Sequence, residues 1–153
     1  MKILIAGFGS IGRRHFHNLR SLGIQDFVFF RTHQSTLDDA ELAGFPVETD
    51  LQAALDHRPT AVVVANPTAL HLDVAIPAAL AGCSLLLEKP ISHSLERISE
   101  LEAALEVGGG QAMMVQGHFL AEPQPEISLT DPSPVYLEQK RSFETERLQR
   151  WFG

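Results

Sequence analysis

The sequence predicts a doubly wound α/β fold, a parallel sheet of about six strands with helices on both faces. Three observations carry this: short apolar runs rich in β-branched and aromatic residues recur along the first three quarters of the chain, stretches with helical spacing separate them, and glycines close several of those stretches. Strands joined by helices lie parallel through right-handed crossovers, and such a sheet is covered on both faces. The 153 residues, 44% of them hydrophobic, suit a single domain able to bury a sizeable core.

The elements follow in order. Lys2 to Ala6 reads as a short apolar strand, "GFGSIG" as a tight turn, and Ile11, His15, Leu19 and Leu22 as the apolar stripe of a helix closed by Gly23. "DFVFF", Asp26 to Phe30, fits a strand buried on both faces. "STLDDAELAG" offers a Ser/Thr cap, acidic first-turn residues and a closing Gly44, which predicts a helix, and "FPVET" a brief strand. Asp50 should cap a helix from Leu51 to His57. "TAVVVA", Thr60 to Ala65, is the strongest strand signal, followed by a turn at "NPT" and a helix from about Ala69 to Ala81. Pro77 inside that helix removes a backbone donor and requires a kink or compensating packing. "SLLLE" predicts a fifth strand. "SHSLERISELEAALE" predicts an amphipathic helix with Leu95, Ile98, Leu101 and Leu105 on one side, and "QAMMVQG" a sixth strand. From Ala121 the texture changes, since "AEPQPEISLTDPSP" packs four prolines into a stretch without period. The expected organisation is a nucleotide-binding domain over residues 1–120. Residues 121–153 would be an irregular extension, with one strand in "VYLEQKRSF" and a charged tail carrying Leu148, Trp151 and Phe152.

Charge and composition exclude several classes of function. Twelve basic against nineteen acidic residues give a net charge of -7, which disfavours a nonspecific grip on nucleic acid or an anionic membrane. No run approaches the ~18 apolar residues of a membrane span, and the opening residues lack a targeting pattern, so a cytoplasmic protein is expected. The lone Cys83 reads as a small packing residue rather than a nucleophile.

Gly7, Gly9 and Gly12 spell G-x-G-x-x-G directly after a strand and at the opening of a helix, the Rossmann-type dinucleotide arrangement. Gly7 permits the tight turn, Gly9 lets the backbone approach a pyrophosphate, and Gly12 lets helix and strand pack closely. Phosphates would meet the N–H groups around Phe8, Ser10 and Ile11. Arg13 and Arg14 oppose the helix dipole, which a nearby anion would relieve; solvated surface arginines are the equal alternative. Where NAD-binding chains place an acidic residue after the second strand, this one has Arg31, Thr32 and His33. A cation there suits a 2′-phosphate, so NADP is favoured with NAD still possible.

"ANPTALH" after the fourth strand and "LLLEKPISH" after the fifth are more specific than the glycine turn. With that turn they make the chain resemble the N-terminal domain of the glucose-fructose oxidoreductase and inositol dehydrogenase family (Gfo/Idh/MocA), from about Met1 to Phe119. The matching residues are Gly7 to Gly12, Pro67 with His71, and Glu88, Lys89 and Pro90. The resemblance implies hydride transfer between a sugar or polyol carbon and a nicotinamide, with Lys89 beside the reacting carbon as the catalytic residue and Pro90 in a cis turn. A positively charged nicotinamide disfavours a neighbouring ammonium, so Lys89 can orient the substrate hydroxyl or exchange a proton with it. Asn66, Pro67 and Thr68 would line the dinucleotide path. His71 would bond the ligand or cap a neighbouring loop, and Glu88 would bond near the nicotinamide ribose or hold Lys89.

The chain departs from the family after the sixth strand. "QGHFLAEPQP" lacks the arginine of the family's next turn, and no length remains for the second, substrate-binding domain. Two readings therefore compete: the cofactor-binding piece of an oxidoreductase, or a complete non-catalytic dinucleotide-binding module that pairs with copies of itself. A methyltransferase of related fold gives "EKP" no role.

Overall fold

Ile3 to Ala6 are apolar, free of proline and fully buried, which places the first strand, β1 (Lys2–Ala6), at the centre of a sheet rather than at its edge. The computed structural model describes residues 1–31 and 40–115. After β1 come α1 (Ser10–Ser21), β2 (Asp26–Phe30), β3 (Val47–Glu48), α2 (Leu51–Asp56), β4 (Ala61–Val64), α3 (His71–Leu80), β5 (Ser84–Leu87), α4 (Ile98–Gly108) and β6 (Ala112–Met114). The sheet order is β3-β2-β1-β4-β5-β6, and every pairing is parallel. The order reverses between β1 and β4, the switch point at which open α/β sheets form a crevice.

Register fixes what shares the carboxyl edge. Ala6 stands opposite Phe30 on one side and Val64 on the other, Val64 opposite Leu87, and Leu87 opposite Met114. The residues that follow these strands, Gly7, Arg31, Ala65, Glu88 and Val115, therefore emerge level with one another. Backbone bonds tie them across the edge: Gly7 N–H to Phe30, Arg31 to Glu48, Ala65 to Ala6, Glu88 to Val64 and Val115 to Leu87, at 2.8–3.0 Å.

Alternation along the strands divides the core into two layers. Leu4, Val28, Val62, Val64, Leu85 and Leu87 pack under α2, α3 and α4. Ile3, Ile5, Phe27, Phe29, Val63 and Leu86 pack under α1 with Phe8, Phe16 and Leu19. On that second face Phe8, Phe16, Phe27, Phe29 and Phe45 meet mostly edge to face at 4.9–5.9 Å. Each such pair adds about 0.5–1.5 kcal/mol beyond the area it buries. Cys83 is buried, donates its Sγ–H to Pro59 O at 3.2 Å, and burial raises its pKa, all as a packing residue requires.

Three expectations need correcting. Of "STLDDAELAG", residues 35–39 lie outside the described residues, and where the sequence predicts the last helical turn before Gly44 there is a 3-10 turn, Ala40–Leu42, with Leu42 alone buried. The fourth helix starts at Ile98, not near Ser92. Ser92 Oγ accepts the N–H of Ser94 at 3.2 Å, a local bond that competes with helix, and Leu95, expected on the packed face, is 86% exposed. Before α3, Thr68–Leu70 forms a 3-10 turn, so the helix proper begins at His71. Pro77 lies inside α3 without ending it; the carbonyl it leaves without a donor belongs to Asp73, on the exposed face, where water can serve it. Asp50 caps α2 as expected, its Oδ1 accepting the N–H of Ala53 at 2.9 Å. The extension read over 121–153 lies outside the described residues.

Candidate active site

Gly7 and Gly12 each have a reason that the protein itself supplies. Gly7 has φ +90°, and a Cβ there would meet Asn66 N at 2.6 Å, so the turn lies against the start of the loop after β4. A Cβ on Gly12 would stand 2.0 Å from Gly7 O, so only glycine lets α1 come this close to its own turn. Gly9 differs. Its φ is -81°, open to any residue, and among the described residues nothing beyond its chain neighbours lies within 4 Å of where its Cβ would be. It forms the N-cap of α1 with no side-chain cap, so no cap satisfies the N–H groups of the first turn, around Ser10, Ile11 and Gly12. Phe8 turns its ring inward against Phe16 and Phe29, leaving only its backbone at the turn.

The anion that relieves Arg13 is internal: its guanidinium pairs with Glu41 and lies over the Phe8 ring at 4.7 Å. Glu41 also pairs with His17 at 2.8 Å. Arg14 is exposed. Arg31 follows β2 and is buried, with 5% exposure; Thr32 and His33 lie outside the described residues.

On the other side of the switch point, Asn66 donates from Nδ2 to Leu70 O at 3.1 Å, while its Oδ1 is buried without a protein partner. Pro67 caps the short turn through Thr68 and is exposed. His71, 1% exposed, has Nε2 at 2.9 Å from Asn66 O and Nδ1 at 3.0 Å from Pro90 O. Both nitrogens face backbone carbonyls, and a neutral imidazole carries one N–H, so it donates to one of the two and ties a neighbouring loop there.

After β5, Glu88 is half-buried, Lys89 is exposed, and the Lys89–Pro90 peptide is cis. Glu88 Oε1 lies 2.6 Å from His15 Nε2. Burial pushes the Glu88 carboxyl up, but the His15 hydrogen bond and charge, the Lys89 N–H and nearby Arg14 outweigh it, and the net result lies below the ordinary carboxyl value. An ionised carboxylate only accepts, so Nε2 carries the proton in this pair. His15 Nδ1 is buried with no protein partner. The spacing of α1 put His15 on the apolar stripe and hid it as a core residue; the signal that singles it out is a histidine where Leu19, one turn on, is leucine.

Gly9, Asn66, Glu88 and Lys89 thus meet at one edge, with β1 and β5 separated by about 10 Å, two strand spacings. A cavity of about 590 Å³ opens at the opposite edge, lined by Gln52, Leu55, Asp56, Arg58, Pro59, Ala81 and Cys83. Its charged groups are exposed and Cys83 is a protonated packing thiol, so that hollow gathers no activated side chain. Among the described residues no group of three His, Cys, Asp or Glu side chains could hold a metal ion, and no helix is long and apolar enough to cross a membrane.

The chain is similar to the WlbA dehydrogenase of Bordetella pertussis, solved in complex with NADH and UDP-GlcNAcA: 27% identity, TM-score 0.66, covering 74% of this chain and 37% of that one. It is also similar to apo scyllo-inositol dehydrogenase of Lactobacillus casei, at 27% identity and TM-score 0.61, covering 73% and 36%. A curated relative, the ketol-acid reductoisomerase (NADP(+)) of Corynebacterium jeikeium (strain K411), is 40% identical over 53 residues, 35% of this chain and 16% of that protein. The chain therefore spans little more than a third of the solved dehydrogenases it matches. The model of the Gfo/Idh/MocA oxidoreductase family, with its NAD-binding Rossmann fold, matches residues 1–116, and the chain belongs to that family.

Proposed function

We propose that the chain is the dinucleotide-binding part of an oxidoreductase that moves hydride between a hydroxyl-bearing carbon of a sugar or polyol and a nicotinamide, with NADP favoured over NAD. The observation that carries this reading is Gly9. Neither backbone conformation nor packing by the described residues calls for glycine there, and room for close approach of a pyrophosphate is what such a glycine allows.

The residues present fit the dinucleotide. The uncapped first turn of α1, through Phe8, Ser10, Ile11 and Gly12, offers backbone N–H groups to phosphate oxygens. Asn66, with its unpartnered Oδ1, continues the path with Pro67 and Thr68 toward the loop after β5. When bound, the dinucleotide supplies the hydride acceptor or donor. Lys89 is the catalytic residue: exposed at this edge, it orients the substrate hydroxyl and takes or returns its proton as the hydride moves. Glu88 holds the Lys89 N–H, and His71 holds the loops together rather than touching the ligand.

The sugar or polyol class is supported by the UDP-GlcNAcA bound to the Bordetella dehydrogenase and by the similarity to scyllo-inositol dehydrogenase, and the NADP preference by Arg31 after β2 and by the NADP(+) named for the reductoisomerase. NADH in the Bordetella complex points to NAD instead. Calorimetric titration of the chain and of Arg31→Asp with NADPH and NADH decides between them. Tighter NADPH binding that the substitution removes is expected; equal affinities, or a preference unchanged in the variant, overturn the NADP assignment. Binding of neither overturns the dinucleotide reading.

A further inference from the structure

We propose that a two-histidine clasp sets Lys89 in place, His15 acting through Glu88 and His71 through Pro90, so that both histidines are positioning residues for the nicotinamide end of the site. The proposal rests on the dinucleotide reading and adds to it the means by which two ends of one ligand are held at a fixed separation.

Lys89 is exposed, and nothing about its own side chain fixes where it begins. Its neighbours do. On the amino side, Glu88 continues the sheet through its N–H to Val64 O at 3.0 Å. The Glu88 carboxylate then accepts from His15 Nε2 at 2.6 Å, and the neighbouring backbone N–H of Lys89 helps hold the carboxyl below its ordinary pKa. On the carboxyl side, His71 sits between the Pro90 carbonyl, 3.0 Å from Nδ1, and the Asn66 carbonyl, 2.9 Å from Nε2, and the tautomer with its proton on Nδ1 donates to Pro90. The two histidines come from different helices, α1 and α3, and grip the residues immediately before and after Lys89.

Packing alone does not account for a histidine at position 15. The site is 8% exposed, a leucine such as Leu19 would fill it without polar cost, and the histidine leaves Nδ1 buried and unpartnered. What histidine supplies and leucine cannot is the charge-assisted bond to Glu88. His15 is also three residues beyond Gly12, on the helix whose first turn faces the pyrophosphate. The bond therefore links the helix at the phosphate end directly to the loop at the nicotinamide end.

The test separates these ends. The full chain is titrated with NADPH, which reaches the Lys89 loop, and with adenosine 2′,5′-bisphosphate, which covers only the adenosine end. His15→Leu should weaken NADPH about tenfold, the loss of roughly one charge-assisted hydrogen bond, and leave the bisphosphate affinity unchanged. His15→Gln, whose side-chain amide can still donate to Glu88, should recover most of the loss. Equal losses for both ligands, no loss for either, or His15→Gln indistinguishable from His15→Leu would overturn the clasp. Should His15→Leu fail to fold, Glu88→Gln carries the same comparison, with selective loss of NADPH expected and equal loss contrary. A parent chain that binds neither ligand refutes the dinucleotide reading itself, a result distinct from all of these.

Discussion

Alanine substitution of the three turn glycines should separate stability from binding, because the structure gives each glycine a different reason. At Gly12 the new methyl would sit 2.0 Å from Gly7 O and 3.0 Å from Gly7 C, well inside contact distance, and backbone on both sides must move. Overpacking against backbone of this severity costs about 3 kcal/mol or more, a large share of a domain's typical ~5–15 kcal/mol. At Gly7 the methyl meets Asn66 N at 2.6 Å and the residue is held at φ +90°, so strain of about 1–2 kcal/mol adds to the clash. At Gly9 no atom of the described residues beyond its chain neighbours lies within 4 Å of the new methyl, and φ is -81°. There the weaker N-cap character of alanine, about 0.5–1 kcal/mol, is offset by about 0.4–1 kcal/mol from a less flexible unfolded chain. Gly9→Ala should therefore unfold in urea within about 0.5 kcal/mol of the parent while losing NADPH affinity by ten- to a hundredfold, about 1.4–2.8 kcal/mol. Gly12→Ala should unfold at clearly lower urea. Circular dichroism in urea and calorimetric titration read the two quantities on the same samples. A Gly9→Ala protein that is folded and binds NADPH like the parent would refute the assignment of that space to a pyrophosphate.

Further outcomes follow from individual contacts. Glu88 has a folded pKa below its ordinary 4.5, so its contribution to stability is present above that value and is lost as pH falls through the folded one. Urea unfolding of Glu88→Gln should accordingly show a shallower loss of stability than the parent from about pH 5 down to pH 3, and parallel acid limbs would contradict the pairing with His15. In the segment around α4, Leu101→Ala should cost about 2–4 kcal/mol, as a residue 2% exposed, whereas Leu95→Ala should stay within about 0.5 kcal/mol. Comparable losses at both positions would show that the helix begins earlier than Ile98.

Much of this fold could be read from residue types because its elements are locally determined. "KILIA", "DFVFF", "AVVV" and "SLLL" are continuous apolar runs, as strands covered on both faces must be, and the structure pairs all four at the middle of the sheet. The Asp50 cap was legible for the same reason, since its partner is three residues away. Boundaries that depend on tertiary contacts were not. "SHSLER" has helical periodicity, yet the Ser92 turn and the reach of Arg97 to Asp73 at 2.6 Å and to Glu100 at 2.8 Å hold the helix start at Ile98. The spacing of glycines predicted a turn, but the distinction of Gly9 from Gly7 and Gly12 needs the surrounding atoms. His15 stayed hidden because its partner Glu88 is 73 residues away, and no local pattern announces a bond across two strands.

The central claim, that a dinucleotide lies along the carboxyl edge from the glycine turn to Lys89, is tested most directly by mapping backbone amide chemical shifts of the isotopically labelled chain during titration with NADPH. The largest shifts should fall on Ser10, Ile11 and Gly12, on Asn66 and Thr68, and on Glu88 and Lys89. Shifts gathered instead around Leu55, Arg58 and Cys83, at the cavity on the far edge, would contradict the account.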